Sequence, residues 1–242
     1  MHFKMSEEHH ILLQSIDRIN TFEDPANCRI SLNKNIRNFK CVGLQSALIP
    51  HTFYNITNNN NVFIIDGTPQ TATPGNYSLT DIVNSLNGLM SLIGGNASYN
   101  ETLNLITLNA PASFTVDFTQ NKSMYRLFGF AKQLYTSILG DAGYNIVAPF
   151  GPKVFTSSIF INMNNIPAGV ISSNENVTHS TFMVPCNVNH GDLIQFYAHS
   201  QFYINPKANT SDLNHFDIKF YDDAGFQLQG LSDYTLLLKV TM

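Results

Sequence analysis

Phe39-Lys40-Cys41-Val42-Gly43-Leu44-Gln45-Ser46-Ala47-Leu48-Ile49-Pro50, running directly into His51-Thr52-Phe53-Tyr54-Asn55-Ile56, reads as a long strand halted by proline and followed by an aromatic-rich turn. Proline stops a strand because it has no N–H to give to the ladder. Four asparagines at 58–61 separate this run from a second apolar one, Val62-Phe63-Ile64-Ile65, so one strand leads through a polar turn into the next. That is the grammar of a sheet protein.

Upstream, Asp24-Pro25 marks a turn, and Cys28-Arg29-Ile30-Ser31-Leu32 alternates in polarity. A strand over 27–32, paired with 39–49, is the local expectation. Residues 1–23 read as a lead-in or arm with a short extended piece at 11–16.

Downstream, Thr73-Pro74-Gly75-Asn76-Tyr77 is a tight turn, after which the period changes. Leu79, Ile82, Val83, Leu86, Leu89 and Met90 fall on one face of an amphipathic helix. Ser78 and Asp81 have capping-box spacing, and Gly94-Gly95 is the stop. From Ser98 the period returns to two, predicting a hairpin of 104–108 with 113–118. Met124, Leu127 and Phe128 fit either a brief helical turn or a pinned loop over 122–130. The Gly- and Pro-rich stretch 141–153 is expected to cross the end of the fold.

Short strands are predicted at 157–163, 180–184, 192–198, 202–204, 216–221 and 234–240, with turn residues between them. Many short strands at this spacing indicate a sandwich or barrel. Residues 24–242 therefore read as one β domain carrying a helix-bearing insertion at about 67–130.

Hydrophobic residues make up 43% of the 242, enough for a sizeable core, but charged residues are only 12%. An ordinary globular chain carries about a quarter. Lys and inward-pointing charges are the usual guards of sheet edges, so this chain guards its edges weakly unless an assembly covers them. The net charge of −4, with no basic stripe, argues against strong binding to a phosphate backbone. No apolar run is long enough to span a bilayer, and residues 1–10 hold no apolar stretch of the kind a secretory leader uses. The Asn-x-Ser/Thr triplets at Asn55, Asn76, Asn96, Asn100, Asn121, Asn176 and Asn209 follow from the abundance of these residues.

Chemistry-bearing constellations are sparse. Cys28, Cys41 and Cys186 are too few and too far apart for a disulfide framework and read as small core residues. His9-His10 lies in a polar terminus, while His179, His190, His199 and His215 fall in the strand-rich half. Asp222-Asp223-Ala224-Gly225 has the composition of a turn rather than of a calcium loop. Neither a phosphate loop nor a nucleophile elbow is present. No catalytic, cofactor-binding or metal-binding residue is nominated, and no enzymatic turnover is expected.

The aromatic residues raise a different question. Ten Tyr and eighteen Phe, with no Trp, include the adjacent pairs Phe53-Tyr54, Phe196-Tyr197, Phe202-Tyr203 and Phe220-Tyr221. On a strand, neighbouring side chains point to opposite faces, so one ring of a pair enters the core and the other faces out. Outward rings suit subunit contacts, where aromatics are enriched, or a lectin-like surface.

Taken in order, Ile16-Asp17, Asp24-Pro25, Arg29-Ile30-Ser31-Leu32, Ser46-Ala47-Leu48-Ile49-Pro50, Thr52-Phe53-Tyr54-Asn55-Ile56, Pro74-Gly75-Asn76-Tyr77-Ser78 and Leu127-Phe128-Gly129-Phe130, with a terminal hairpin over 216–240, resemble the penton or minor capsid proteins of polinton-like viruses, virophages and related large eukaryotic DNA viruses. The resemblance covers most of the chain. It implies a single jelly-roll β-sandwich forming homopentamers at icosahedral vertices beside a double jelly-roll major capsid protein, with no cofactor and residence in the virion. Other readings remain open at this point: a non-vertex minor capsid protein, a jelly-roll glycan- or ligand-binding module and, third, a cupin-like enzyme.

Overall fold

The computed structural model describes residues 8–20, 24–37, 39–164, 166, 180–198 and 212–242. The chain divides into two compact units, one made of residues 1–53 and 156–242 and the other of Tyr54–Phe155.

The first unit contains eight described strands: β1 (Glu8–Gln14), β2 (Asn27–Arg37), β3 (Cys41–Pro50), β12 (Ser158–Met163), β13 (Phe182–Pro185), β14 (Leu193–Tyr197), β15 (Asp212–Tyr221) and β16 (Thr235–Thr241). They form two four-stranded sheets in the orders β1-β16-β3-β14 and β13-β12-β15-β2, with every pairing antiparallel. Counted one to eight along the unit, the orders are 1-8-3-6 and 5-4-7-2, the interleaving of a jelly roll. One apolar core draws on both sheets, with Leu13, Val42, Ile49 and Leu238 from the first and Ile30, Ile161, Phe216 and Phe220 from the second.

The deciding stretch is β3. Val42 and Leu44 are buried, and then the phase slips so that Ala47 and Ile49 are buried instead. The cause is a bulge: Leu238 lies opposite Leu44 while Leu237 lies opposite Ser46, so Gln45 has no counterpart on β16. One extra residue reverses the faces of everything after it, which keeps both halves of the strand on the core.

Several local expectations fail for one reason. The strand at 27–32 does not pair with 39–49, because β2 pairs with β15 while β3 pairs with β16 and β14. Likewise β15 and β16 are not a terminal hairpin, since they lie in opposite sheets. Apart from β12 and β13, which pair as neighbours, this jelly roll sends successive strands of the unit to opposite layers, so the nearest strand in sequence is seldom the partner. The lead-in contributes β1, which pairs with β16 along its whole length. The strand expected at 202–204 lies outside the described residues.

The second unit holds β4 (Val62–Ile65), β5 (Thr68–Thr71), the helix α1 (Leu79–Met90), β6 (Asn96–Asn100), β7 (Leu105–Ala110), β8 (Thr115–Asp117), β9 (Leu134–Thr136), β10 (Ile138–Gly140) and β11 (Gly143–Val147). Its sheets run β5-β4-β8-β9 and β10-β11-β7-β6. The expected hairpin of 104–108 with 113–118 is therefore absent, β7 pairing with β6 and β11 and β8 with β4 and β9. The stretch 141–153 contributes β11 rather than only crossing the fold.

The helix forms where its period predicts. Ser78 accepts the Asp81 N–H at 3.2 Å, and Asp81 accepts the Ser78 N–H at 3.0 Å, completing the capping box. Ile82, Leu86 and Met90 are fully buried, and Asn87 Oδ1 takes the Ala97 N–H at 2.6 Å, tying the last turn to β6. A short 3₁₀ turn follows before Gly94 ends the helix at φ 70°, the left-handed conformation that glycine tolerates.

This unit has its own core around Phe63, Phe118, Phe128, Phe130 and Tyr135. The 122–130 segment is a loop pinned by those rings. Gly129 is required there: its φ is 80°, and an added Cβ would run into the Phe150 carbonyl.

Candidate functional site

His51 follows β3, and its Nδ1 lies 3.0 Å from the Val188 carbonyl. The His190 ring is 5.7 Å away, and Cys186 Sγ is 4.0 Å from Nδ1. The expectation that the sequence holds no His-x-Asp triplet, which would weigh against a cupin-like metal site, is incorrect: His190-Gly191-Asp192 and His215-Phe216-Asp217 both have that form, and folding brings the first beside His51. The backbone explains the arrangement: His51 N–H donates to the Asp192 carbonyl at 2.9 Å, and Gly191 N–H donates to that of His51 at 2.8 Å.

Electrostatically this cluster is quiet. Burial pushes the His51 imidazole below its ordinary value and the Cys186 thiol above its own. Both shifts favour neutral forms, whereas a nucleophilic thiolate–imidazolium pair needs the charged ones. Among the described residues no three His, Cys, Asp or Glu side chains converge as a metal site.

The remaining candidates are structural. His215 Nε2 sits 3.7 Å from Asp217, whose carboxyl is held below the usual range chiefly by the Arg29 guanidinium that donates to it. Asp222 Oδ1 accepts the N–H groups of Ala224 and Phe226 at 2.9 and 2.8 Å, and Gly225 takes φ 83°, so the acidic pair builds a turn. Asp223 accepts from Ser157 Oγ at 2.7 Å. Cys28 is buried, Cys41 and Cys186 are half-buried, and none of the three is in a disulfide. His179 and His199 lie outside the described residues. The aromatic pairs split as the pleat requires: Phe196 packs on the core while Tyr197 is 59% exposed, and Phe220 is buried while Tyr221 is half-buried.

What the surface does carry is exposed apolar area at sheet edges. In the second unit β9 and β10 are edge strands of different sheets, separated only by Ser137. Ser137 N–H donates to the Phe114 carbonyl at 2.9 Å, and its hydroxyl accepts the Phe114 N–H at 2.8 Å, fixing the corner. Leu134, Ile138 and Leu139 stand outside at 57%, 73% and 67% exposure. The run Leu134-Tyr135-Thr136-Ser137-Ile138-Leu139-Gly140 has no charge. Edge strands β5 and β13 contain Pro69 and Pro185, one of the devices that blunt edges, but β9 and β10 have neither proline nor lysine. In the first unit Leu12, Ile16 and Ile19 are likewise exposed. The sequence reading assigned nothing to 134–140, although an uncharged apolar run around Ser137 was a visible signal.

No protein-family model and no curated protein sequence matches the chain. Among solved structures, the selenomethionine-labelled penton protein of mavirus is similar in fold, with a TM-score of 0.50, 11% identity, and coverage of 98% of this chain and 100% of that one.

Proposed function

We propose that this chain is a structural capsid protein that works by subunit packing, and that it is the pentameric vertex protein of an icosahedral DNA virus. The observation that carries the reading is the uncharged apolar edge at 134–140, set in a chain with only 12% charged residues. Few ionic groups then need desolvation when copies meet. The jelly-roll strand order and the likeness to the mavirus penton protein support the capsid assignment by analogy of fold.

In a ring, one surface of each copy meets a different surface of its neighbour, and closure depends on the rotation between them. The partners are four further copies and a double jelly-roll major capsid protein, with the virion as the place of residence. The helix-bearing segment at about 67–130 belongs to the Tyr54–Phe155 unit, which in this reading is an insertion carried by the jelly-roll domain.

Light scattering on the purified native protein tests the reading, the expected mass being five times that of the subunit. A strict monomer across a wide concentration range, with no co-assembly with a double jelly-roll capsid protein, would overturn it. Saturable binding to a glycan array by such a monomer would favour the ligand-binding module instead.

A further inference from the structure

The sheet β10-β11-β7-β6 of the second unit is the one sheet among the four described whose strands carry no Asp, Glu, Lys or Arg. One of its faces lies on the core through Ala97, Ile106, Leu108 and Ile146, all buried. Side chains alternate along a strand, so Asn96, Ser98, Thr107, Asn109, Asn145 and Val147 belong to the opposite face. An antiparallel sheet commonly leaves that second face to solvent. Here Asn96, Ser98 and Val147 are exposed, while Thr107, Asn109 and Asn145, nearer the middle, are half-buried.

Register sets the asparagines side by side. Asn109 lies opposite Asn96 on β6 and opposite Asn145 on β11, and Asn145 lies opposite Ile138 on the edge strand β10. Three amides thus form one row across three strands, with neighbouring Cβ atoms about 5 Å apart. Ile138, 73% exposed, ends the row. Among the described residues none of the three amides takes part in a side-chain hydrogen bond, whereas those of Asn55, Asn60, Asn61 and Asn87 all do. The Asn145 amide also needs Gly140 beside it, because a Cβ there would stand 2.5 Å from Nδ2.

The row has no charge to attract an ion, and no aromatic ring or guanidinium of the kind that dominates protein–protein hot spots. Covering it with an apolar protein surface would leave three amides unpaired, at a cost for each. A ligand that brings its own neutral hydroxyls removes that cost. An amide offers two donors and an accepting oxygen, and a hydroxyl both donates and accepts, so one amide can give a hydrogen bond to one hydroxyl and take one from the next. Ile138 and Val147 add apolar surface for ring C–H groups. We infer that this face binds a neutral carbohydrate, with Asn96, Asn109 and Asn145 reading adjacent hydroxyls along the row. The row spans two strand spacings, about 10 Å, which fits an oligosaccharide of two or three units rather than a single sugar. The site lies on the second unit of every copy, so the inference goes beyond the capsid reading and does not rest on it.

The test uses the full chain and an array of immobilised oligosaccharides: neutral ones built from glucose, galactose, mannose or N-acetylglucosamine, and sialylated and sulfated counterparts. The expected result is saturable binding to at least one neutral oligosaccharide, no tighter binding to its charged counterpart, and the same affinity at low and high salt. With that oligosaccharide in solution, amide exchange should slow in 96–100, 105–110 and 143–147. Asn109→Ala/Asn145→Ala should weaken binding at least tenfold. Ser98→Lys, at an exposed position, should weaken it too by laying a long charged chain on the face without touching the core, and it keeps the test decisive if the double variant does not fold. No saturable binding to any neutral oligosaccharide, a preference for the charged ones, protection elsewhere, or full affinity in either folded variant would overturn the inference. So would a fall in native mass caused by Ser98→Lys, because it would give the face to a second copy. The mass of the unaltered protein is measured separately, so failure of this site and failure of the pentamer remain distinguishable.

Discussion

Asn55 and Tyr77 exchange two hydrogen bonds: the Tyr77 N–H donates to Asn55 Oδ1 at 2.9 Å, and Asn55 Nδ2 donates to the Tyr77 carbonyl at 2.7 Å. The same Nδ2 reaches the Val154 carbonyl at 3.1 Å. Beside them Ile56 and Gly75 form a backbone bridge of 2.9 and 3.1 Å. One amide thus fastens the start of the second unit, the turn before its helix and its last residues. Removing it by Asn55→Ala leaves partly buried backbone groups unpaired and should cost about 2–3 kcal/mol. Thermal unfolding together with amide exchange at Tyr77 checks this. An unchanged melt with unchanged protection would show that Asn55 is not the fastening.

Ser78→Ala removes the capping box and should destabilise by about 1 kcal/mol. There is a pH signature as well. The Ser78 hydroxyl and N–H hold the Asp81 carboxyl below its ordinary range. A depressed acid contributes stability above its unfolded value and loses that contribution as the pH falls through the folded one. The wild-type protein should therefore lose part of its advantage over Ser78→Ala in acid, as read from paired melts at pH 7 and pH 3.

His51 has the opposite charge logic but the same direction with pH. Its folded value lies below the ordinary 6.5, mainly through burial, with His190 adding to the depression and the Val188 and Asn189 carbonyls and Asp192 opposing it. As the pH drops below about 6.5 the unfolded chain takes up the proton first, so stability falls until the folded imidazole is protonated too. A His51→Gln variant should show a shallower decline between pH 7 and pH 5 in denaturant titrations. Identical slopes would mean that the histidine does not titrate differently on folding.

Phe118 touches Phe63, Phe128, Phe130 and Tyr135, the Phe130 ring stacking at 4.9 Å. Phe118→Ala should cost about 3–5 kcal/mol. The loss should be read in the second unit, as faster amide exchange in β4, β8 and α1, because the jelly roll has its own core. Uniformly accelerated exchange across both units would contradict two independent cores.

If the 134–140 edge is an assembly contact, Ile138→Glu/Leu139→Glu should lower the native mass without lowering the melting temperature of the separated subunit, both residues being exposed. Retention of the full oligomer would place the contact elsewhere.

The sequence by itself determined the local elements. The proline-stopped strand at Pro50, the helix set by Ser78 and its 3.6-residue period, and the turn at Asp222 to Gly225 are all governed by short-range sterics and backbone hydrogen bonding, which the residues themselves announce. The bulge at Gln45 was not legible in the same way, because Ala47, Leu48 and Ile49 are all apolar and only the register against β16 shows where the phase slips. Pairing was decided only by the tertiary structure. A strand pattern says which face is buried but not which strand lies alongside, because any antiparallel neighbour satisfies the same backbone groups. The choice of β15 for β2 and of β16 for β3 depends on closing one core between two interleaved sheets. The uncharged run at 134–140 is legible in the sequence, but its exposure is decided only by the sheet orders, which leave β9 and β10 as the outer strands of two sheets.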